Sequence, residues 1–463
     1  MSTINPTASL RLARAQAQHK TPKPFFQVFR KNTRVAGRYC RNIRVMGAQN
    51  STVRYAPGVK LPDEEHKTCI YLDYNATTPI FPEVADEMQP FLMRYFGNPS
   101  SNHAFGRPCN AAVKQARERV AKLVGAKQEE IVFTSCGSES DNWAIRGVVA
   151  AAVERSKEQH PEREFVPHIV TSNIEHPAIE ACLKSMASQG ALAYTEVGVD
   201  KEGLIQPEAV RAAMRPETVL VTVMHSNNEI GSVQPIAAIA DVAHSQGSLL
   251  HTDAAQSMGK VPVKADEINA DLITVVGHKF GAPKGVAALY IRHGTSIKNM
   301  FFGGGQESGR RAGTENVLLI AGIGKAAEIA EREAAETSAH MRAMREELSQ
   351  KLLEEFGSED VRINGPHDAS KRLPNTLSIS IKNLIASQLL AEIGERVAAS
   401  AGAACHSGGG PAISAVLKAI QLPKEYALGT LRLSVGRHTT REDIDEAGTC
   451  IIEAAKKQLS TGA

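Results

Sequence analysis

The chain has 463 residues, 42% of them apolar and 22% charged, with a formal net charge of +3. That length allows two or three domains with sizeable cores. No apolar run approaches the roughly 18 to 20 residues of a membrane span, so a soluble globular protein with no membrane partner is expected. The cysteines stand at 40, 69, 109, 136, 182, 405 and 450 and form no CxxC pair. This argues against a zinc site or disulfide framework and for a reducing compartment.

Charge is unevenly spread. Residues before Asp63 contain no acid, while Arg and Lys recur from Arg11 to Lys60. Without this arm the body is acidic, so no nucleic-acid footprint is expected. An Arg-rich, acid-free arm with interspersed Ser and Thr reads as a mitochondrial or plastid transit segment. The bland alternative is a basic tail on a cytoplasmic protein, with Met46 as another start.

The body opens at Ile70 to Leu72 as a short strand, followed by a polar turn through Pro79. Phe96 to His103 is too rich in breakers for a core element. Ala111, Val113, Ala116, Val120 and Leu123 recur at helical spacing and predict a helix over 110–124. Ile131 to Thr134 reads as a strand, and Ser135 to Asn142 as a small-residue turn opening a helix. Backbone N–H groups and a Ser hydroxyl at such a helix start suit a phosphate, although an ordinary capped turn has the same composition.

Strands and helices then alternate. Strands are expected over 168–172, 193–197, 219–224 and 248–253, with a helix over 235–246. The βαβ rhythm predicts a mostly parallel sheet with its site at the carboxyl ends of the strands. The strand into Asp253 delivers an acid, with Gln256 three residues on. The run from Asp271 to Val276 ends in Gly277, His278 and Lys279. An unpaired ammonium is costly to bury, but a lysine can form a Schiff base with a carbonyl cofactor, of which pyridoxal phosphate (PLP) is the usual one. PLP also needs a carboxylate beside its ring nitrogen. An isolated strand-end lysine more often snorkels to solvent. An Asp-ended strand followed by a His-Lys-ended strand resembles the centre of a fold-type I PLP enzyme.

Gly303 to Thr314 is a glycine-rich loop carrying Arg310 and Arg311, suited to an anion or a neighbouring subunit. Residues 322–356 read as a long connecting helix. The glycines at 322 and 324 superficially match a dinucleotide fingerprint, but no βα unit stands behind them. Strands at 376–381 and 431–435 suggest a smaller α/β domain. Between them, the small-residue segment 398–410 holds Cys405 and three glycines, and reads as a mobile loop. The expected division is a basic extension over 1–66, a large PLP-binding domain over 85–329, and a small domain from 67–84 and 330–463.

Together, Tyr71-Leu72-Asp73, Gly97 to Ser101, Glu175-His176, Asn227 to Glu229, Asp253 to Gln256, Gly277 to Lys279, Gly303 to Gly305 and Arg432 to Ser434 carry a specific resemblance. They look like the NifS-type cysteine desulfurases and the related selenocysteine lyases, class V aminotransferases of the fold-type I PLP enzymes. The resemblance runs from about Ile70 to the C-terminal helix. It implies a large domain with a mostly parallel mixed sheet plus a smaller C-terminal α/β domain. It also implies PLP, a homodimer, L-cysteine or L-selenocysteine as substrate, and a sulfur or selenium acceptor protein.

By position, Lys279 would be the Schiff-base lysine and His176 would stack on the ring. Asp253 would pair with the ring nitrogen, and Asn228 and Gln256 would bond its hydroxyl side. Gly137, Ser138 and His278 would hold the phosphate, with Thr314 reaching it from a partner subunit. Arg432 would clamp the substrate carboxylate, beside Asn228, and Cys405 would be the loop thiol that receives sulfur. Three positions depart from the bacterial desulfurase pattern: Val276 replaces a Ser, Cys136 a Gly and Gln306 a His. The runs 276–280 and 402–407 look more like selenocysteine lyase. The competing readings are a catalytically silent PLP-fold scaffold and, on the weak Gly322 match alone, a dehydrogenase.

Overall fold

The computed structural model describes residues 69–406 and 410–461. In chain order these run β1 (Ile70–Tyr71), α1 (Pro82–Met93), α2 (Gly106–Val124), β2 (Ile131–Thr134), α3 (Gly137–Gln159), β3 (His168–Ser172), α4 (Pro177–Ser188), β4 (Ala193–Val197) and α5 (Pro207–Ala213). Then come β5 (Thr218–Thr222), α6 (Ile236–Ser245), β6 (Leu249–Asp253), β7 (Leu272–Val276), β8 (Ala287–Ile291) and the long helix α7 (Val317–Phe356). The remainder is β9 (Val361–Ile363), β10 (Thr376–Ile381), α8 (Ala386–Ile393), β11 (Val397–Ala398), β12 (Ser400–Ala401), β13 (Ala403–His406), β14 (Gly410–Ile413), α9 (Ala415–Ala419), α10 (Lys424–Ala427), β15 (Thr430–Ser434) and α11 (Arg441–Thr461).

Seven strands form the main sheet in the order β2-β8-β7-β6-β5-β3-β4. All its pairs are parallel except the two made by β8, which runs antiparallel to both β2 and β7. Every residue of β7 is buried, as expected where helices cover both faces of a sheet. A second, antiparallel sheet runs β12-β15-β10-β9, and β1 pairs with β11. The molecule is therefore α/β, and its smaller sheet is antiparallel.

One apolar core gathers Trp143, Ile145, Ile169, Leu220 and Leu289 against the main sheet, and two larger ones follow. One gathers Val113, Val120, Val170, Val221, Ile273 and Ile323 around the main sheet. The other gathers Ile70, Leu72, Leu348, Ile379, Leu431 and Ile451. Helix α7 serves both, through Ile320 to Ile329 at one end and Met341 to Leu352 at the other. At about 1.5 Å per residue, a helix of this length is a stiff rod of some 60 Å.

Some boundaries differ from the sequence-based expectation for local reasons. Helix α2 starts one turn before residue 110, because Gly106 N is taken by His103 O at 3.0 Å. A side chain at 106 would meet Ser101 O at 2.1 Å, so the turn requires glycine. Strand β5 ends at Thr222, not at residue 224, because the Glu175 carboxylate captures Met224 N. Within the segment 398–410, expected as a loop, the described backbone forms β12 and the hairpin of β13 with β14. Ser400 is pinned opposite Arg432, and antiparallel pairing sets Cys405 against Pro411. The transit reading of the basic arm lies outside the described residues, as does the reading of the Cys405 thiol.

Candidate active site

The carboxyl ends of β2, β3, β6 and β7 converge, and each delivers a polar group. After β7 a short 3-10 turn, Gly277–Lys279, lifts the lysine off the sheet. Lys279 Nζ donates to Asn75 O at 2.7 Å and to Ala76 O at 2.9 Å. Burial first, and then Arg432, lower its pKa to about 8, against the pull of Asp253 and Asp73. An amine so placed is neutral in a useful fraction near neutral pH. His278 turns away to Thr77, with Nδ1 at 3.1 Å from Oγ1, and burial, Lys279, Lys284 and Lys260 push its pKa down to about 4.

Asp253 closes β6. It is buried, accepts Ala255 N at 2.9 Å, and carries a pKa raised by burial against the lowering effects of that bond, His176 and Lys279. Asp141 and Glu175 lie close enough to couple with it electrostatically. Asp141 is 2% exposed and its Oδ1 has no hydrogen-bond partner among the described residues; burial, then Asp253, hold its pKa well above the usual carboxylate range. Glu175 is partly exposed, yet its carboxylate turns inward onto Met224 N and Ser172. Burial raises its pKa to about 8.

His176 caps α4, its Nδ1 accepting Ala178 N at 3.2 Å. That bond leaves the proton of the neutral ring on Nε2. Burial, partly offset by Asp253, lowers its pKa. Gln256 is buried and donates Nε2 to Asn75 O at 2.9 Å. Asn228 offers its backbone O to Asn75 Nδ2 and to Arg432 Nη1, at 3.1 and 3.2 Å.

At the start of α3, Cys136 and Ser138 are exposed. Gly137 has no room for a side chain: a Cβ there would lie 2.7 Å from Val276 Cγ2. Val276, one of the departures from the family pattern, thus fills the space beside Gly137, next in the chain to Cys136. Glu139, in the first turn of α3, accepts Ser135 N and both arms of Arg311, at 2.8 and 3.1 Å. Burial would raise its pKa, but the bonds from Arg311 and Ser135 outweigh it and the net shift is downward. A second bidentate pair, Arg117 with Glu307, anchors the same loop at 2.6 and 2.7 Å. Gln306 Oε1 accepts Gly313 N at 3.2 Å, and Thr314 is exposed.

Arg432, on β15, donates Nη2 to Asp73 at 2.6 Å and to Ser400 Oγ at 2.9 Å. Its Nε has no partner among the described residues. It lines a pocket with Asn228, Glu229, Ser400 and Ser414, beside the hairpin that carries Cys405. Lys279, Asp253, His176, Gln256, Asn228 and Arg432 are therefore drawn together, and Gly137 adjoins the end of β7. Thr314 makes no such contact. Sequence reading assigned no role to Asn75, Asp73, Asp141 or Lys260. Asp73 stands in a motif and Asn75 in the polar turn that follows it, where neither shows as a hub.

These groups fit PLP: an amine held near neutrality, a buried acid behind it, and a helix start with no side chain in the way. Among the described residues no cluster suits a metal ion. The aminotransferase class-V family model matches residues 70–447. A cysteine desulfurase IscS of Dictyoglomus turgidum is 42% identical over 378 residues, 81% of this chain and 92% of its own length. One of Methanosarcina thermophila is 39% identical over 389 residues, 84% and 92% of the two chains. Among solved structures, a NifS-like protein matches with a TM-score of 0.75 and 33% identity, covering 84% of this chain and all of its own. SspA in complex with cysteine matches with a TM-score of 0.67 and 34% identity, covering 80% and 99%.

The chain belongs to the class-V aminotransferase family, a family of PLP-dependent enzymes with the fold-type I architecture. Its relatives within that family are cysteine desulfurases.

Proposed function

We propose that this chain cleaves the carbon–sulfur bond of L-cysteine, giving L-alanine and a persulfide on Cys405. The observation that carries the reading is the Lys279 amine, lowered to about 8 and facing Arg432 across the same site. PLP, held by Lys279, Asp253, Gln256, His176 and the 137–138 turn, would supply an electron sink for charge developing at the substrate α-carbon. Lys279 takes the α-proton. Arg432, its guanidinium oriented by Asp73, Ser400 and Asn228 O, binds the substrate carboxylate. His176, with its proton on Nε2, serves proton movements at the leaving sulfur. The Cys405 thiolate attacks that sulfur; the bond pair stays with the β-carbon, which takes a proton to complete alanine.

Thr314, exposed on a doubly anchored loop, suits the phosphate of a second copy, so a homodimer is part of this reading. An acceptor protein would then take the sulfur from Cys405. The basic arm is proposed as an organelle address; a fluorescent fusion lacking it should distribute differently from the intact one. The motif run at 276–280 favours L-selenocysteine as a second substrate, for which the Cys405 thiolate is less necessary because selenolate leaves more readily. The deciding assay is anaerobic alanine formation from both amino acids by wild type and Cys405→Ala. Loss on cysteine with retention on selenocysteine is expected. Undiminished turnover of cysteine by the variant would end the persulfide assignment.

A further inference from the structure

Lys260 is a buried lysine that the proposed chemistry does not use. It is 6% exposed, and no carboxylate pairs with it among the described residues. Its Nζ donates to Gln256 O at 3.0 Å and to Gln256 Oε1 at 3.1 Å. An ammonium has three N–H groups and a neutral amine two. The two acceptors therefore match the neutral form and would leave one N–H of the charged form unbonded. Lys260 also lines the same cavity as Lys279, walled mainly by Tyr74, Met258, Phe280 and Met341.

The bonds continue from one lysine to the other. Lys260 occupies Gln256 Oε1, which turns Gln256 Nε2 toward Asn75 O. The same Asn75 O receives Lys279 Nζ. Without Lys260, Gln256 Oε1 loses its donor and the amide is held by Asn75 O alone, so the carbonyl on which Lys279 rests is less firmly fixed. We propose that Lys260 is a positioning residue of the Lys279 site: held uncharged, it locks the Gln256 amide and thereby fixes the carbonyl on which Lys279 rests. The proposal rests on Lys279 being the reacting amine.

The electrostatics agree with the bonding. Burial first, then Lys279 and Arg432, lower the Lys260 pKa to about 7. The charged groups acting on it are Lys279 and Arg432, the latter paired with Asp73, while Arg437 on the wall of the same cavity is paired with Glu83 and Glu333. Tyr74, on that wall, stays neutral, its pKa raised by burial to about 12. His278 is neutral as well, its pKa lowered in part by Lys260. Protonating Lys260 sets a new cation against the ammonium that Lys279 must become when it takes a proton. Lys279 is then a weaker base, and turnover falls as pH drops through about 7.

Two variants of the full-length holoenzyme separate bonding from charge. Lys260→Met keeps the unbranched stem without the terminal nitrogen and so removes every donor. Lys260→Gln keeps two N–H donors and cannot ionise. With L-cysteine at pH 8, Lys260→Met should lose about tenfold in kcat, the scale of one buried hydrogen bond, with KM near wild type. PLP loading of the apoprotein, followed by absorbance, should slow similarly. Lys260→Gln should recover part of both and lack the acid step near pH 7 in the kcat profile. Wild-type kcat and loading in Lys260→Met would overturn the proposal, as would a wild-type acid step in Lys260→Gln. If Lys279→Ala is inactive while Lys260→Met is normal, only this inference fails. If Lys279→Ala turns over normally, the reading beneath it fails.

Discussion

The strand-end cluster and the glycine-rich loop beside it treat charge in opposite ways. In the loop each buried ion has its counterion: Glu307 with Arg117, and Glu139 with Arg311, both bidentate. In the cluster Arg432 is paired with Asp73, but Asp141 faces only the neutral ring of His251 at 3.8 Å, and Lys260 and Lys279 have no ion-pair partner among the described residues; the pKa values of these three move toward neutrality instead. Pairing makes a loop that is complete within the chain. Leaving ions unpaired costs stability but keeps protons transferable and leaves counterion positions for a cofactor and a substrate.

Breaking the cluster should cost most in turnover. Lys279→Ala should lower alanine formation at least about 10³-fold, the scale of a positioned base, and abolish the visible band of bound PLP. Full turnover by the pure variant would remove the lysine from the chemistry. Arg432→Ala should lower kcat/KM for cysteine by about 2 to 5 kcal/mol, mostly through KM. An unchanged value would place the substrate carboxylate elsewhere.

Breaking the loop should instead cost stability. Arg311→Met strands Glu139 at the start of α3 and should destabilise the apoprotein by about 2 to 3 kcal/mol in denaturant unfolding. Adding Glu139→Gln should restore much of that, because no lone charge remains. Additive losses would show that the pair contributes packing alone.

The smallest effect expected has a pH signature. The folded pKa of Asp141 is raised, so its contribution is fully present below the unfolded carboxyl value of about 3.9 and is lost as pH rises above it. Asp141→Asn should therefore raise the apoprotein melting temperature by a few degrees at pH 8 and leave it unchanged near pH 3. A pH-independent difference would mean that the carboxyl is ionised in the fold.

The residues legible in the sequence were those at the ends of apolar runs. Asp253, His176 and Lys279 stand where a buried strand or turn meets polar chemistry, and a local window shows that. Asn75 does not stand out locally. Its amide reaches Thr376 and its backbone N reaches Ser434, so its role as a hub exists only after distant segments meet. The strands within 398–406 are hidden for the same reason: their small residues give no strand pattern, and the pairing comes from β15 and β14. In the sequence Lys260 is one more charge after a glycine. Nothing short of the packed cavity reveals that it is enclosed.

The contact between Gly137 and Val276 has a consequence for how this site can evolve. The two positions are far apart in the chain but share one volume: a Cβ at 137 would sit 2.7 Å from a methyl of a buried, β-branched side chain. Such a side chain is stiff about χ1 and cannot step aside cheaply. Gly137→Ala should therefore be harmful in this background and tolerated after Val276→Ser. The order of substitution matters, because one route between the two turn chemistries passes through a clash and the other does not. Position 276 acts as a ratchet on position 137, and a lineage that has acquired valine there must keep its glycine until the valine is gone.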